Sequence, residues 1–157
     1  MVELLNAEVS VFGIVVAAAF SIPFAMLWFN PKIFGNMWLK EIGKKQKDLK
    51  MKNTDPVIAF LAALVMAFVL SLFISYLNTT SDTLGVLKAD TFLFGQWRGW
   101  LIGLMAGFMA GIGFFAAVLL DEVVWEQRSF KLYMINAGHR VVSLTLMGLI
   151  LALFMDL

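Results

Sequence analysis

Cysteine is absent from this chain of 157 residues, and histidine occurs once. Without cysteine there are no disulfides, no thiolate metal ligands and no cysteine nucleophile. The lone histidine, His139, does not make a conventional zinc site in a chain without cysteine. The sequence therefore predicts no metal and no other cofactor.

Motifs of catalysis are also missing from the sequence. Its glycines recur at intervals of four inside an apolar stretch, which is unlike the glycine-rich loop that cradles a phosphate. No spacing of Ser, His and Asp indicates a nucleophilic triad. We therefore expect that the protein is not an enzyme.

Charge is scarce and unevenly distributed. Charged residues make up 15% of the chain and apolar residues 61%, whereas a soluble domain is about a quarter charged and about half apolar. The charges are also segregated, so that long apolar runs contain almost none. This composition predicts an integral membrane protein with a single domain over residues 1–157.

Four apolar runs are long enough to cross a bilayer, which takes roughly 20 helical residues. They cover about residues 9–29, 56–77, 97–124 and 132–154. All five tryptophans lie near the ends of these runs, where aromatic side chains typically meet the lipid headgroups. The sequence predicts an all-α fold, an integral membrane four-helix bundle embedded in a lipid bilayer.

Lysine is concentrated in the first loop, residues 30–55. The lysines there are Lys32, Lys40, Lys44, Lys45, Lys47, Lys50 and Lys52. The short third loop adds Arg128 and Lys131. By the positive-inside rule these two loops face the cytoplasm, and both termini lie on the outer, non-cytoplasmic side.

The lysine-rich stretch of the first loop has the pattern of a helix that lies on the inner leaflet. Trp38, Ile42 and Leu49 would face the lipid, and each lysine near an anionic surface contributes about 1 kcal/mol. We expect anionic lipid headgroups as the partner of this loop. Docking of an acidic cytosolic protein or a nucleic acid is the less favoured alternative, and we expect no nucleic acid.

A strip of glycines marks the third run. Glycine occupies every fourth position at Gly95, Gly99, Gly103, Gly107 and Gly111. Such small-xxx-small rows let two helix backbones approach closely in lipid. The glycine positions rotate about the helix axis by about 40° per step and by about 160° in all. This is a wider arc than contact with one neighbouring helix requires. We expect it to pack a helix of the same chain and also to build a homo-oligomer or a contact with a membrane complex.

The interfacial position of Trp97 and Trp100 sets the depth of the strip. Gly103, Gly107 and Gly111 then lie in the outer half and the middle of the bilayer. The close helix contact should therefore be remote from the polar residues of the cytoplasmic end. Gly107→Leu should break assembly and leave that polar group unchanged.

Two segments of the chain resemble a known family. The residues Trp28, Pro31, Phe34, Gly35 and Trp38 follow the spacing W-Y-x-P-x-x-F-G-x-x-W. Residues 135–140, Ile-Asn-Ala-Gly-His-Arg, and Met147-Gly148 are similar to a stretch I-N-A-G-Y-H … M-G. Both are features of the domain of unknown function 1761 family, in which they end the first helix and lie in the last.

The resemblance implies a small, mostly bacterial membrane protein with four helices, and hence a bacterial inner membrane. It implies no activity, because none is established for the family. Two departures stand out: Phe29 replaces the usual Tyr, and His139-Arg140 replaces the usual Tyr-His. A proton-handling role of the usual histidine would therefore not carry over to Arg140.

Arg140 is the outlier among the charges. It lies about nine residues beyond Lys131, roughly 14 Å along the helix, where a charge costs about 2.5 kcal/mol or more unless it is paired or hydrated. Asn136 shares its helix face, and Asp121 and Glu122 end the preceding run. With His139, these five residues form a candidate polar site. The favoured interpretation is nevertheless that Arg140 snorkels to the headgroups or ties the third helix to the fourth, and a functional polar site is the alternative.

Two functions remain open from the sequence. The favoured one is a structural or accessory subunit that assembles with itself or with a larger membrane complex, since a packing strip is present and a central polar pathway is not. The alternative is a small transporter or channel subunit for protons or small cations, with Arg140, His139 and Asn136 near the path.

Overall fold

The computed structural model of the chain describes residues 10–50, 52, 54–84 and 98–155, with the side chains of 81–84 and 98 left out. Its helices are α1 (Val11–Trp28), α2 (Asn36–Glu41), α3 (Asp55–Leu84), α4 (Arg98–Ala110), α5 (Ala117–Trp125) and α6 (Phe130–Leu153). Two π-helical segments, Pro31–Gly35 and Gly111–Ala116, and a 3-10 turn, Gln46–Asp48, complete the regular structure. The described residues contain no strand, so the predicted all-α fold is confirmed. Gly95 and Trp97 lie outside the described residues.

Four helices are long and apolar enough to cross a membrane: Val11–Trp28, Asp55–Thr80, Gly99–Trp125 and Phe130–Leu153. The third of these is α4, the π-helical segment and α5 in one continuous stretch. Apolar side chains also cover the outside of the bundle, as along α3, where Val57, Leu61, Val65 and Val69 are all more than half exposed. These features indicate a membrane protein.

The second membrane-crossing helix, α3, continues past residue 77, where the apolar run was expected to end, as far as Leu84. Its polar extension is compatible with helix because side chains bond back to the backbone: the Thr79 hydroxyl donates to the Ser75 carbonyl at 3.1 Å. Hydropathy marks where a helix leaves the apolar layer, and not where its hydrogen-bond ladder stops.

The glycines of α4 lie directly against the backbone of α6. A Cβ atom placed on Gly107 would lie 2.7 Å from the Leu144 carbonyl carbon, and one on Gly111 would lie 2.7 Å from the Val141 Cα atom. Gly103 and Gly148 face each other across the same seam, where a Cβ on either would strike the other's carbonyl oxygen. No larger residue fits at these positions unless the helices move apart. We call this contact the glycine seam.

The glycine seam differs from the sequence-based expectation in how many helices it contacts and in how near it comes to the polar residues. Its described glycines, Gly103, Gly107 and Gly111, all pack on one helix of the same chain, because two steps of the strip sweep only about 80°, within the width of one helix contact. Gly111 contacts Val141, the neighbour of Arg140. The expected separation between close packing and the polar end is therefore wrong. Gly99 is half-buried in the first turn of α4.

Small and apolar residues fill the centre of the bundle. Ala17 and Ala18 of α1, Ala67 of α3 and Ala106 of α4 have no exposed surface. Buried polar side chains among the described residues are Ser71, His139 and Ser143. The Ser71 hydroxyl donates to the Phe68 carbonyl at 2.7 Å and so is satisfied within its own helix.

The first loop does not form the helix expected over its lysine-rich stretch. Helix α2 ends at Glu41 because Gly43 adopts φ 67°, the left-handed conformation that glycine favours. The Lys44 N–H then bonds to the Leu39 carbonyl at 3.0 Å and the Gly43 N–H to the Lys40 carbonyl at 3.2 Å. This is a Schellman motif, and it turns the chain away from the helix axis.

Helix α2 packs against the beginning of α6. Leu39 is buried, and the Lys131 Nζ atom lies 3.9 Å from a Glu41 carboxylate oxygen. This contact places the first loop beside the turn that joins α5 to α6. We call the part of the bundle formed by residues 29–50 and 126–131 the basic end.

Candidate functional site at the basic end

The chain makes a tight π-helical turn as it leaves α1. Asn30 begins it: its side-chain oxygen accepts from the Lys32 N–H and its carbonyl from the Gly35 N–H, both at 2.9 Å. Pro31 suits the first position, where an N–H would lack a partner. A Cβ on Gly35 would lie 2.7 Å from the Asn30 carbonyl carbon and nearer still to the Phe29 oxygen. The turn therefore requires glycine at this position.

The turn brings the aromatic residues of the first motif together. Phe34 folds back onto Trp28 with ring centroids 4.6 Å apart, and Phe29 meets Trp38 at 5.2 Å. One turn earlier in α1, Phe24 lies 5.8 Å from Trp28. Tilted ring pairs at these distances are favourable beyond the area they bury.

Trp28 joins the first motif to the second. Its indole N–H donates to the Ile135 carbonyl at 3.2 Å. The ring lies across Gly138, where a Cβ would come within 3.3 Å of its edge. The two motifs, 107 residues apart at this bond, are thus the two sides of one contact between α1 and α6.

His139 lies at the centre of this contact. Its side chain is 8% exposed and is surrounded by Phe24, stacked at 5.6 Å, Phe29 at 5.0 Å and Trp28 at 6.0 Å. Its Nε2 atom is buried and has no hydrogen-bond partner among the described residues. We call these three rings around the imidazole the aromatic box.

The aromatic box gives His139 a defined chemistry. An imidazole nitrogen can take up or release a proton. The faces of aromatic rings attract a cation, whereas burial disfavours one. The aromatic box is therefore a site, away from bulk water, where the His139 imidazole can bind or release a single proton.

Arg140, the next residue, points to another side of α6. It is exposed on the outside of the bundle, and its guanidinium carbon lies 6.0 Å from the centroid of Phe115 in the π-helical segment. Neither candidate acid pairs with it: Glu122 instead lies 3.1 Å from the Arg128 guanidinium, and Asp121 is exposed. Arg128 also contacts Glu126 at 2.7 Å.

Asn136 lies with Glu122 and Arg128 around a small cavity. Its volume is about 10 Å³, room for about one water molecule. The remaining walls are Leu119, Val123, Leu132 and Tyr133.

The five residues predicted as one polar site are thus distributed over separate surroundings. His139 faces α1, Arg140 lies over Phe115, Asn136 and Glu122 share the cavity, and Asp121 stands apart. Neighbouring residues of a helix differ in direction by about 100°, which separates His139 from Arg140.

The sequence did not place His139 among aromatic rings, because the tryptophans, Trp28 and Trp38 among them, were expected at the membrane interface. A signal was available: Gly35 beside Phe34 and Gly138 beside His139 mark close backbone approach. Among the described residues, no three His, Asp or Glu side chains come together as metal ligands would.

A family model described as "Protein of unknown function (DUF1761)" matches residues 12–152. No curated protein and no solved structure matches the chain. The matched stretch contains both motifs and the whole contact between them.

Proposed function

Because the chain belongs to the DUF1761 family of proteins of unknown function, we infer its role from its own residues. We propose that it is a non-catalytic subunit of a membrane assembly, formed with copies of itself or with a larger membrane complex. The observation that carries this proposal is the position of Arg140: a permanent charge on the outer surface of the bundle, inside an apolar helix.

The depth of Arg140 is what makes its exposure informative. It lies ten residues after Phe130, the first residue of α6, or about 15 Å along the axis. A cation that faces lipid there is costly, and the nearby acids are turned away from it, since Glu122 pairs with Arg128. A polar group of a neighbouring subunit would compensate the charge.

The interior of the bundle supports an accessory role over a conducting one. Its buried polar side chains, among the described residues, are two serines and His139. One serine is engaged with its own helix. A path for ions across the membrane needs polar groups along its length, and this interior offers few.

We propose further that the basic end faces the cytoplasm and that both termini lie outside. The support is the concentration of lysine in the first loop, which the positive-inside rule assigns to the cytoplasm. The family resemblance favours a bacterial inner membrane.

The assembly proposal is tested by counting subunits in native membrane nanodiscs. Wild-type protein is expected as multimers or with partner proteins, and Arg140→Leu as mostly monomers. Leucine suits a lipid-facing position, so the monomer fold should survive. Arg140→Lys keeps the charge and is the matched control. Wild-type protein found only as free monomers would refute the proposal, and unchanged assembly of Arg140→Leu would assign Arg140 to snorkelling.

A second function has one observation in its favour. The buried, unpartnered Nε2 atom of His139 is a candidate proton site, which fits a transporter subunit for protons or small cations. Proton flux into proteoliposomes should then fall at least tenfold in His139→Phe, which fills the aromatic box without a titratable group. Equal flux in the variant and the wild type would exclude this function.

A further inference from the structure

The first loop uses its acidic side chains to fix its own shape. The Asp48 carboxylate accepts the Lys45 backbone N–H at 3.0 Å, and the Asp55 carboxylate accepts the Lys52 backbone N–H at 2.8 Å. Glu41 faces Lys131 of α6. Each of the three acidic side chains of residues 30–55 thus contacts either a backbone N–H group or, for Glu41, the Lys131 side chain of α6.

The lysines of the same loop are directed outward. We call these seven side chains the lysine surface: Lys32, Lys40, Lys44, Lys45, Lys47, Lys50 and Lys52. Every one of them is exposed. The ion pairs of the described residues involve Arg128 and Lys131, and none involves the lysine surface. Within the described residues, the seven exposed lysines of the loop are therefore without an acidic partner.

The loop is also held close to the bilayer. It connects the ends of two apolar helices, Trp28 and Asp55, and buried Leu39 fixes its middle part. Two apolar side chains stand among the lysines, Ile33 at 44% and Leu49 at 42% exposed. Lysines interleaved with exposed apolar residues at a membrane edge are the pattern of an interfacial surface.

We propose that the lysine surface is a docking site for the anionic phospholipid headgroups of the leaflet at the basic end. The lysines pair with phosphates, and Ile33 and Leu49 enter the boundary of the acyl chains. A nucleic acid or an acidic protein would match the charge equally well but leaves the apolar side chains without a role. This inference requires a membrane and is independent of whether the protein assembles.

The absence of cysteine makes a direct test possible. Gln46→Cys, in the exposed 3-10 turn between Lys45 and Lys47, gives a single attachment point for a fluorophore. In nanodiscs both membrane faces are open to solution, so the quencher reaches the fluorophore whichever way the protein is oriented. Quenching by aqueous acrylamide, which is uncharged and is not repelled by anionic lipid, is compared between discs of phosphatidylcholine alone and discs with added phosphatidylglycerol. We expect quenching to fall several-fold with the anionic lipid.

Replacing Lys44, Lys45, Lys47 and Lys50 together by Gln should abolish the difference between the two lipids. Each lysine near an anionic surface changes the binding constant by about fivefold. The same four positions changed to Arg keep the charge and should behave as wild type. Subunit counts of both variants should equal the wild type, which separates this inference from the assembly proposal.

Two outcomes would overturn the inference. The first is equal quenching in neutral and anionic discs. The second is protection of the fluorophore by an RNA oligonucleotide or polyglutamate in neutral discs as strong as that by the anionic lipid. The second outcome would assign the lysine surface to a soluble polyanion.

Discussion

Helix α6 packs on its two main neighbours in contrasting ways. Against α4 it forms the glycine seam, where the glycines of α4 lie directly against the backbone of α6. Against α1 it forms the aromatic box, where large rings enclose His139 and one indole N–H crosses to a carbonyl. The seam has no polar side chain to titrate, and the box has a buried one without a partner. The seam therefore rests on close packing alone, whereas the box adds a buried imidazole to the packing of its rings.

The largest loss of stability is expected when a side chain is introduced into the glycine seam, which tests its part of this comparison. Gly107→Leu puts a side chain where the Leu144 backbone already lies, and we expect the free energy of unfolding to fall by about 3 kcal/mol. This replaces the sequence-based expectation that the same change breaks only assembly, because the glycine packs within its own chain. Denaturant unfolding in detergent micelles measures the loss.

Gly113 is the matched control for the seam. It lies in the same membrane-crossing stretch, and a Cβ there would meet nothing within 4 Å. Gly113→Leu should therefore leave unfolding almost unchanged. Equal losses in the two variants would mean that the added bulk of leucine anywhere in this stretch, and not the close contact with α6, accounts for the effect.

The link between the two motifs should have a smaller effect. Trp28→Phe keeps a ring across Gly138 but removes the N–H that the Ile135 carbonyl accepts. We expect a loss of about 1 kcal/mol, the usual net value of one hydrogen bond. Trp125→Phe is the control, since Trp125 is 82% exposed. A variant as stable as the control would show that the bond contributes nothing.

The smallest effect is expected at the centre of the box, with the opposite sign. His139→Phe removes the buried Nε2 atom that has no partner and keeps an aromatic ring between Phe24 and Phe29. We expect unchanged stability or a gain of up to about 1 kcal/mol, measured by thermal unfolding in the same micelles. A loss larger than that of Trp28→Phe would mean that the imidazole itself holds α1 to α6.

The sequence was informative about helices and less so about their faces. Four apolar runs predicted four apolar helices, because the length of a run decides whether a segment can cross a bilayer. The rotation of each helix about its axis depends on packing, which one sequence does not reveal. Asn136, His139 and Arg140 were therefore placed together as one site, although Asn136 faces α5, His139 faces α1 and Arg140 lies over Phe115 of the π-helical segment.

The two π-helical segments were equally hidden. Their hydrogen bonds span five residues where an α-helix spans four, and neither Pro-Lys-Ile-Phe-Gly nor Gly-Ile-Gly-Phe-Phe-Ala has a composition that predicts such bonds. Gly35 is the glycine of the first motif, and only the structure shows that it lies against the Asn30 carbonyl. The requirement for glycine at a motif position becomes apparent only when the backbone atoms around that position are known.

The π-helical segment Gly111–Ala116 has a consequence for how this protein could change over evolutionary time. A π turn contains one residue more than an α turn, so it behaves as a one-residue insertion held inside an otherwise regular helix. Loss of one residue there would restore a plain α-helix and keep the side chains of α4 and α5 on their present sides, whereas the same loss within an α-helical stretch rotates everything beyond it by about 100°. The segment thus absorbs a change of one residue in length without turning α5 relative to α4.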